Sequence, residues 1–316
     1  MLKQFLSKLA DRTRRFFLLD QILNRQKELK SELRHQQLRF KEQEHLLNQA
    51  LSRLEFTTID HERLTESSKH KHFHRIIPLL TPMDVEGAQY KRFGKDFDGG
   101  YVMLDDFSSN KITAAYSFGI SNDVSWDESM AAKGIDVYMY DHTIDGLPKQ
   151  HERFHYFKKG VTGESPSAEL DTLSNFIREN GHQDCQQLVL KMDIEGAEWG
   201  VLMHTPSEVL NQFSQIAFEF HGLTNHNLAN SKIYQALEHL NQTHQVVHIH
   251  ANGQSHTSWL GNIALPHLVE VTYIRRTDYK DKLRPNTRKF PTPIDQPTTP
   301  DTPEIPLNWF SLKDIG

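Results

Sequence analysis

The feature that most constrains this chain is an alternation of short apolar runs with amphipathic stretches, from about Ala88 to Arg276. The runs Ala114–Phe118, Asp136–Tyr140, Phe154–Lys158, Leu188–Met192, Ile216–Phe220, Gln245–Ile249 and Val269–Ile274 have the length and composition of strands. Between most of them lie segments with helical spacing: Asp123–Lys133, Ser167–Asn180, Ala197–Met203 and Lys232–Asn241. That succession predicts an α/β fold, a mainly parallel sheet covered by helices on both faces. Val269–Ile274 follows its predecessor with no helix between, which predicts an antiparallel pair at that edge.

The flanks read differently. Residues 1–56 contain neither glycine nor proline, and from Leu19 apolar residues recur at spacings of four and three: Leu19, Ile22, Leu29, Leu33, Phe40, Leu47, Ala50 and Leu54. Gln26, Gln36 and Gln43 fill the gaps in this register. The pattern is that of a coiled coil with polar interruptions, and a helix this polar is marginal without a partner. Self-association through residues 19–54 is therefore expected. Before it, Met1–Leu23 interleaves Lys3, Lys8, Arg12, Arg14 and Arg15 with Phe5, Leu6, Leu9, Phe16 and Phe17, which suits either an anionic membrane surface or packing on the protein body. Residues 57–87 read as a polar linker containing the histidine-rich Lys69–His74, residues 88–283 as the folded domain, and residues 284–316 as a proline-rich tail outside the core.

Bulk properties narrow the function. A net charge of −5 gives no electrostatic footprint for nucleic acid. The single cysteine, Cys185, excludes an intramolecular disulfide and any cysteine-based zinc site, and it fits a reducing cytoplasm. No secretory signal is recognisable, and no run approaches the ~18 apolar residues of a spanning helix.

The chemistry-bearing residues cluster at strand ends. The stretch LVLKMDIEGAEWGVL (Leu188–Leu202) runs from a buried strand through Asp193 and Glu195 into a helix. In open α/β sheets ligands bind at such carboxyl ends, and a carboxylate in a partly dry pocket needs a partner. The first strand ends in SFGISND (Ser117–Asp123), where a lone Gly119 argues against the G-x-G-x-x-G loop of a dinucleotide enzyme. Asp141 at the tip of the second strand is placed to accept ribose hydroxyls. In FGKDFDGGY, Gly99 and Gly100 permit a turn whose amides form an anion nest, with Tyr101 and Phe97 held around it. Farther on, Glu219, His221, His248 and His250 end the fifth and sixth strands and are expected to share one pocket with Asp193. Such a set reads either as a general base with an orienting acid or as a site for a hard divalent cation, with Asp193, Glu219, His221 and His250 as ligands.

DGGYV at Asp98, YSFGISND at Tyr116, YMYDHT at Tyr138, KMDIEGAEW at Lys191, FEFHGL at Phe218 and HIHANG at His248 together resemble the FkbM-like family of S-adenosylmethionine-dependent methyltransferases. The resemblance spans about Tyr90 to Ile274. It implies a class I methyltransferase (Rossmann-like) sheet with an antiparallel last strand. By that likeness the cofactor lies against Gly100, Tyr101, Gly119 and Ser121, Asp141 holds its ribose, and Asp193 sits beside the transferring methyl. The first loop departs from the usual glycine-rich form, with Ser121 and Asn122 in its place.

The resulting expectation is O-methylation of a hydroxyl on a glycan or polar metabolite. In this reading catalysis falls to Asp193, His221 and His250, with either histidine as the base and Asp193 as its orienter or as a ligand to Mg²⁺ or Mn²⁺ where a metal is used. A competing reading is a non-catalytic coiled-coil scaffold carrying a degenerate cofactor fold. A nucleotide-sugar or NAD enzyme is disfavoured by the lone glycine of the first loop.

Overall fold

The computed structural model describes residues 23, 25–51, 68–108, 110–225, 230–260 and 263–307. Three short strands, β1 (Met83–Val85), β2 (Tyr90–Phe93) and β3 (Tyr101–Leu104), precede the main alternation. It comprises β4 (Ala114–Phe118), β5 (Asp136–Tyr140), β6 (Phe154–Phe157), the two-residue β7 (Gly160–Val161) and β8 (Leu170–Asp171), and β9 (Leu188–Met192). Then come β10 (Phe213–His221), β11 (His244–Ala251), the hairpin β12 (Thr257–Leu260) and β13 (Ile263–Pro266), β14 (Leu268–Arg275) and β15 (Leu283–Pro285).

Seven of these form one sheet in the order β11-β14-β10-β9-β4-β5-β6. Strands β10, β9, β4, β5 and β6 run parallel, while β14 is antiparallel to both of its neighbours. This is the α/β sheet of a class I methyltransferase. One detail differs from the sequence reading: the last strand does not end the sheet but inserts between β10 and β11, leaving β11 at the edge.

Why these segments became the central strands is visible in their burial. Every residue of β4 and of β9 is buried, as a parallel strand covered on both faces requires. Tyr116, Phe118, Leu190 and Met192 face one core with the helices Leu173–Glu179, Glu198–His204 and Asn230–Asn241. Ala115 and Val189 face the other, which Ser125–Ala131 and the β2–β3 hairpin close. The expected helix Ser167–Asn180 is shorter at its start, because Leu170–Asp171 pairs with Gly160–Val161 and Thr172 caps the helix, accepting from the Asn175 amide at 3.2 Å.

The flanks are corrected more strongly. The expected linker is helical over Ser68–Leu80, and His72, Phe73, Ile76, Ile77 and Leu80 are buried. The sequence pattern hid this helix behind its polar half, His70, Lys71, His74 and Arg75. The proline-rich segment is likewise part of the packed body: β15 pairs antiparallel with β1, and Phe290, Ile305 and Leu307 join the main hydrophobic core. Beyond Pro285 side chains and single backbone groups make its contacts, since proline has no amide to give to a ladder.

Residues 25–51 are helical. Leu29, Leu33, Phe40 and Leu47, the apolar half of the heptad register, stand out on the surface, Phe40 being 70% exposed. The helix touches the body through an Arg34–Asp301 ion pair at 3.6 Å. Met1–Leu23 lies, but for Leu23, outside the described residues, as do 52–67. Among the described residues no helix is long and apolar enough to cross a membrane.

Candidate active site

Register across the sheet aligns the site. Phe118 pairs with Tyr140 and with Met192, and Met192 pairs with Phe218. The next residues, Asp141, Gly119, Asp193 and Glu219, therefore end adjacent strands as a row, which β14 and β11 continue with Glu270 and His250. Along this row opens a cleft of about 660 Å³, within the range of sites that hold cofactor-sized ligands.

Gly119 is where the backbones come closest. It has φ +77°, and a Cβ there would collide with the Asp193 carbonyl. Only glycine lets the first loop lie flat against the start of the next one. Lys191 Nζ then donates to the Gly119 carbonyl at 2.6 Å and tethers the two loops. Ser121 and Glu195, also on the wall, hold φ of +49° and +57° despite their side chains. Such local strain is characteristic of functional loops.

Asp141 does line the cleft, but its carboxylate is already engaged. Oδ2 accepts from the amides of Ile120 (2.9 Å) and Ser121 (2.8 Å), and Oδ1 from the amide and hydroxyl of Thr143 (2.8 and 2.6 Å). A carboxylate offers about four lone-pair sites, and all four are taken. Burial opposes the charge, yet the Ser121, Thr143 and Ile120 hydrogen bonds prevail and hold the group below the usual carboxylate range. Asp141 thus shapes the loop that forms the cleft wall.

The anion nest expected at Asp98–Gly100 falls in a loop with many internal ties. The loop is the turn of the β2–β3 hairpin, and four of the amides before Gly99 are engaged inside the protein. Those of Gly94 and Lys95 donate to the Ser129 and Ser125 hydroxyls, and those of Phe97 and Asp98 donate to Gln296 Oε1 and the Thr298 carbonyl. Asp98, Gly99 and Tyr101 reach the wall. Gly100 does not: it sits behind, where a Cβ would strike Arg92 and the Lys95 carbonyl.

The far end of the cleft gathers Asp193, Glu219 and His221, each offering one ligand atom within 4.8 Å of the other two. His221 Nδ1 donates to Glu198 Oε1 at 3.2 Å, while Nε2 lies 3.3 Å from Glu195 and 3.9 Å from Asp193. Burial disfavours the charged ring, but the Glu198 hydrogen bond and the charges of Glu198, Glu219 and Asp193 outweigh it, raising the imidazole to about 9. A ring that is cationic at neutral pH has no lone pair to accept a proton. Burial, with Asp193 and Glu270 beside it, pushes the Glu219 carboxyl well above its ordinary value. Glu198, fully buried beneath His221, also accepts from the Ile194 amide at 2.9 Å and so fixes both the ring and the loop.

His248 and His250 of β11 do not join this pocket. His248 Nε2 pairs with Asp295 at 2.8 Å. His250 is clamped between Glu270 (Nδ1, 3.0 Å) and Glu304 (Nε2, 2.9 Å) and is 2% exposed. Asp295 and Glu304 both belong to the proline-rich segment, which covers the sheet exactly where sequence reasoning placed open strand ends. The cleft reaches Asn252 instead, whose Nδ2 donates to Glu219 Oε1 at 2.7 Å. Lys191 and Asn252 were missed as site residues. Lys191 is the one charged residue inside an otherwise apolar strand, and that signal was available in the sequence.

No curated protein matches the chain. Residues 107–243 match the family described as the methyltransferase FkbM domain, a span that takes in β4 to β10 and with them Gly119, Asp141, Asp193, Glu219 and His221. Over that span the chain is similar to the FkbM methyltransferase domain.

Proposed function

We propose that the protein transfers a methyl group from S-adenosylmethionine to a hydroxyl of a small polar or glycan acceptor. The observation that carries the reading is the cleft itself: a loop pinned flat by Gly119 and Asp141 at one end, and converging Asp193, Glu219 and His221 at the other. The carboxylates of Asp98, Asp193 and Glu219 on its wall suit a cationic ligand. Bound S-adenosylmethionine supplies a methyl already activated by its sulfonium and leaves as the neutral thioether.

The chain's own task is then to align an acceptor oxygen and take its proton. Alignment contributes ~7–11 kcal/mol to such a step and a general base ~10²–10⁴-fold. Glu219 is the base in this reading, because a carboxyl raised towards neutrality is better matched to a hydroxyl proton than an ordinary one. Asp193 and the His221 cation orient the hydroxyl, and Asn252 holds Glu219 Oε1. His250, buried between two glutamates, has no part in it.

Calorimetry with S-adenosylmethionine, using NAD as control, tests the cofactor. Saturable heat with the first alone is expected, and equal binding of NAD overturns the reading. The compact oxygen and nitrogen donor set of Asp193, Glu219 and His221 favours a second version, in which Mg²⁺ or Mn²⁺ binds there and activates the hydroxyl. Methyl transfer that survives exhaustive chelation excludes it.

A further inference from the structure

We propose that Thr298, in the proline-rich segment, is a positioning residue of this site, acting through Asn252 on the Glu219 carboxylate. The proposal rests on the S-adenosylmethionine reading above and goes beyond the matched domain, since Thr298 lies 55 residues after its end at 243.

The connection is a chain of directed hydrogen bonds. Thr298 Oγ1 donates to Asn252 Oδ1 at 3.1 Å and accepts from the Gly253 amide at 3.1 Å. The Gln254 amide donates to the same Asn252 oxygen at 3.0 Å. With two donors on Oδ1, the side-chain amide has one orientation, and its NH₂ faces Glu219 Oε1 at 2.7 Å. Asn252, Glu219 and Thr298 are all buried. An amide in such a place does not turn freely, because the reversed orientation sets its oxygen against Glu219 Oε1 and its NH₂ against the Gln254 N–H.

Removing the Thr298 hydroxyl deletes one of those two constraints. Asn252 is then less strictly held, and Glu219 loses its fixed donor. The carboxylate faces Asp193, Glu270 and the His221 cation, so without a fixed donor it has reason to turn away from its two acidic neighbours. The negative charge offered to a ligand in the cleft is misplaced as a result. The backbone role of Thr298 is separate: its carbonyl accepts from the Asp98 amide at 3.1 Å. A Thr298→Val substitution keeps shape and backbone and removes only the hydroxyl.

S-adenosylmethionine and S-adenosylhomocysteine differ by one methyl and one positive charge, so the ratio of their affinities reports how well charge is aimed at the sulfonium. The test is calorimetric titration of the full chain with each. In Thr298→Val the ratio is expected to fall about tenfold against the sulfonium compound, the lower end for a lost hydrogen bond to a charged group. Affinity for S-adenosylhomocysteine should hold, and Thr298→Ser should restore the wild-type ratio. Asn252→Leu, which cuts the chain at its middle and leaves the tail untouched, should reproduce the loss even where Thr298→Val folds poorly. A parallel fall in both affinities, or an unchanged ratio in the two variants, overturns the positioning role. Wild-type protein that binds neither compound overturns the cofactor reading itself.

Discussion

At the scale of single residues, the site separates groups that face a ligand from groups that hold the wall. Asp141 is the sharpest case. A residue used only for ribose recognition would leave stability untouched when removed, whereas one that accepts four hydrogen bonds from its own loops would not. Asp141→Ala is therefore expected to cost about 2–3 kcal/mol in urea unfolding, besides weakening cofactor binding, since charged hydrogen bonds are worth ~1.5–3 kcal/mol each and are not additive. Unchanged unfolding would return Asp141 to a purely ligand-facing role. His221 gives a second check. Its ring C–H resonances should titrate in the metal-free protein with a midpoint near 9. A folded-state value above the unfolded ~6.5 means that the ring stabilises the protein fully below pH ~6.5 and loses that contribution as pH rises through 9. A midpoint at or below 6.5 would make it a general base after all.

At the scale of elements, the two terminal segments behave oppositely. The helix over 25–51 leaves its apolar stripe exposed, and its register sets Arg39 and Glu44 at flanking positions that complement each other between parallel copies. A second copy of the chain is the expected occupant. Light scattering should show a dimer or larger, and a variant lacking residues 1–56 should fall to the mass of one chain; a full-length monomer at micromolar concentration refutes this. The C-terminal segment, in contrast, finds its partner within the chain. Burial opposes the charge on His250, but the Glu270 and Glu304 hydrogen bonds raise it to about 10. The clamp is thus fully stabilising below pH ~6.5 and is lost as pH rises through 10, at up to ~1.4 kcal/mol per pH unit. Urea midpoints of wild type should converge on those of His250→Gln over that window, and a constant gap would show that the clamp does not depend on the ring's charge.

For the whole molecule, much was legible before the structure. The seven strands of the main sheet were recognisable because six of them bury an apolar run and the edge strand β6 is rich in aromatic residues, and the lone Gly119, Asp193 and Glu219 could be placed at strand ends by chain order alone. Local sequence determines which segments are strands and helices, because burial on one or two faces writes its period into the residues themselves. It also located most of the cleft, since parallel strands must all end on the same side. What it could not determine was which strand ends stay open. His248 and His250 have the right position and the right chemistry, yet Asp295 and Glu304, 47 and 54 residues later, cover them. The helix Ser68–Leu80 and the proline-rich segment read as solvated, because their apolar residues are few and acquire meaning only against the sheet. The orientation of Asn252 and the engagement of Asp141 rest on partners far away or on backbone amides. Pairings of this kind carry no periodic trace in the chain, so only the tertiary structure decides them.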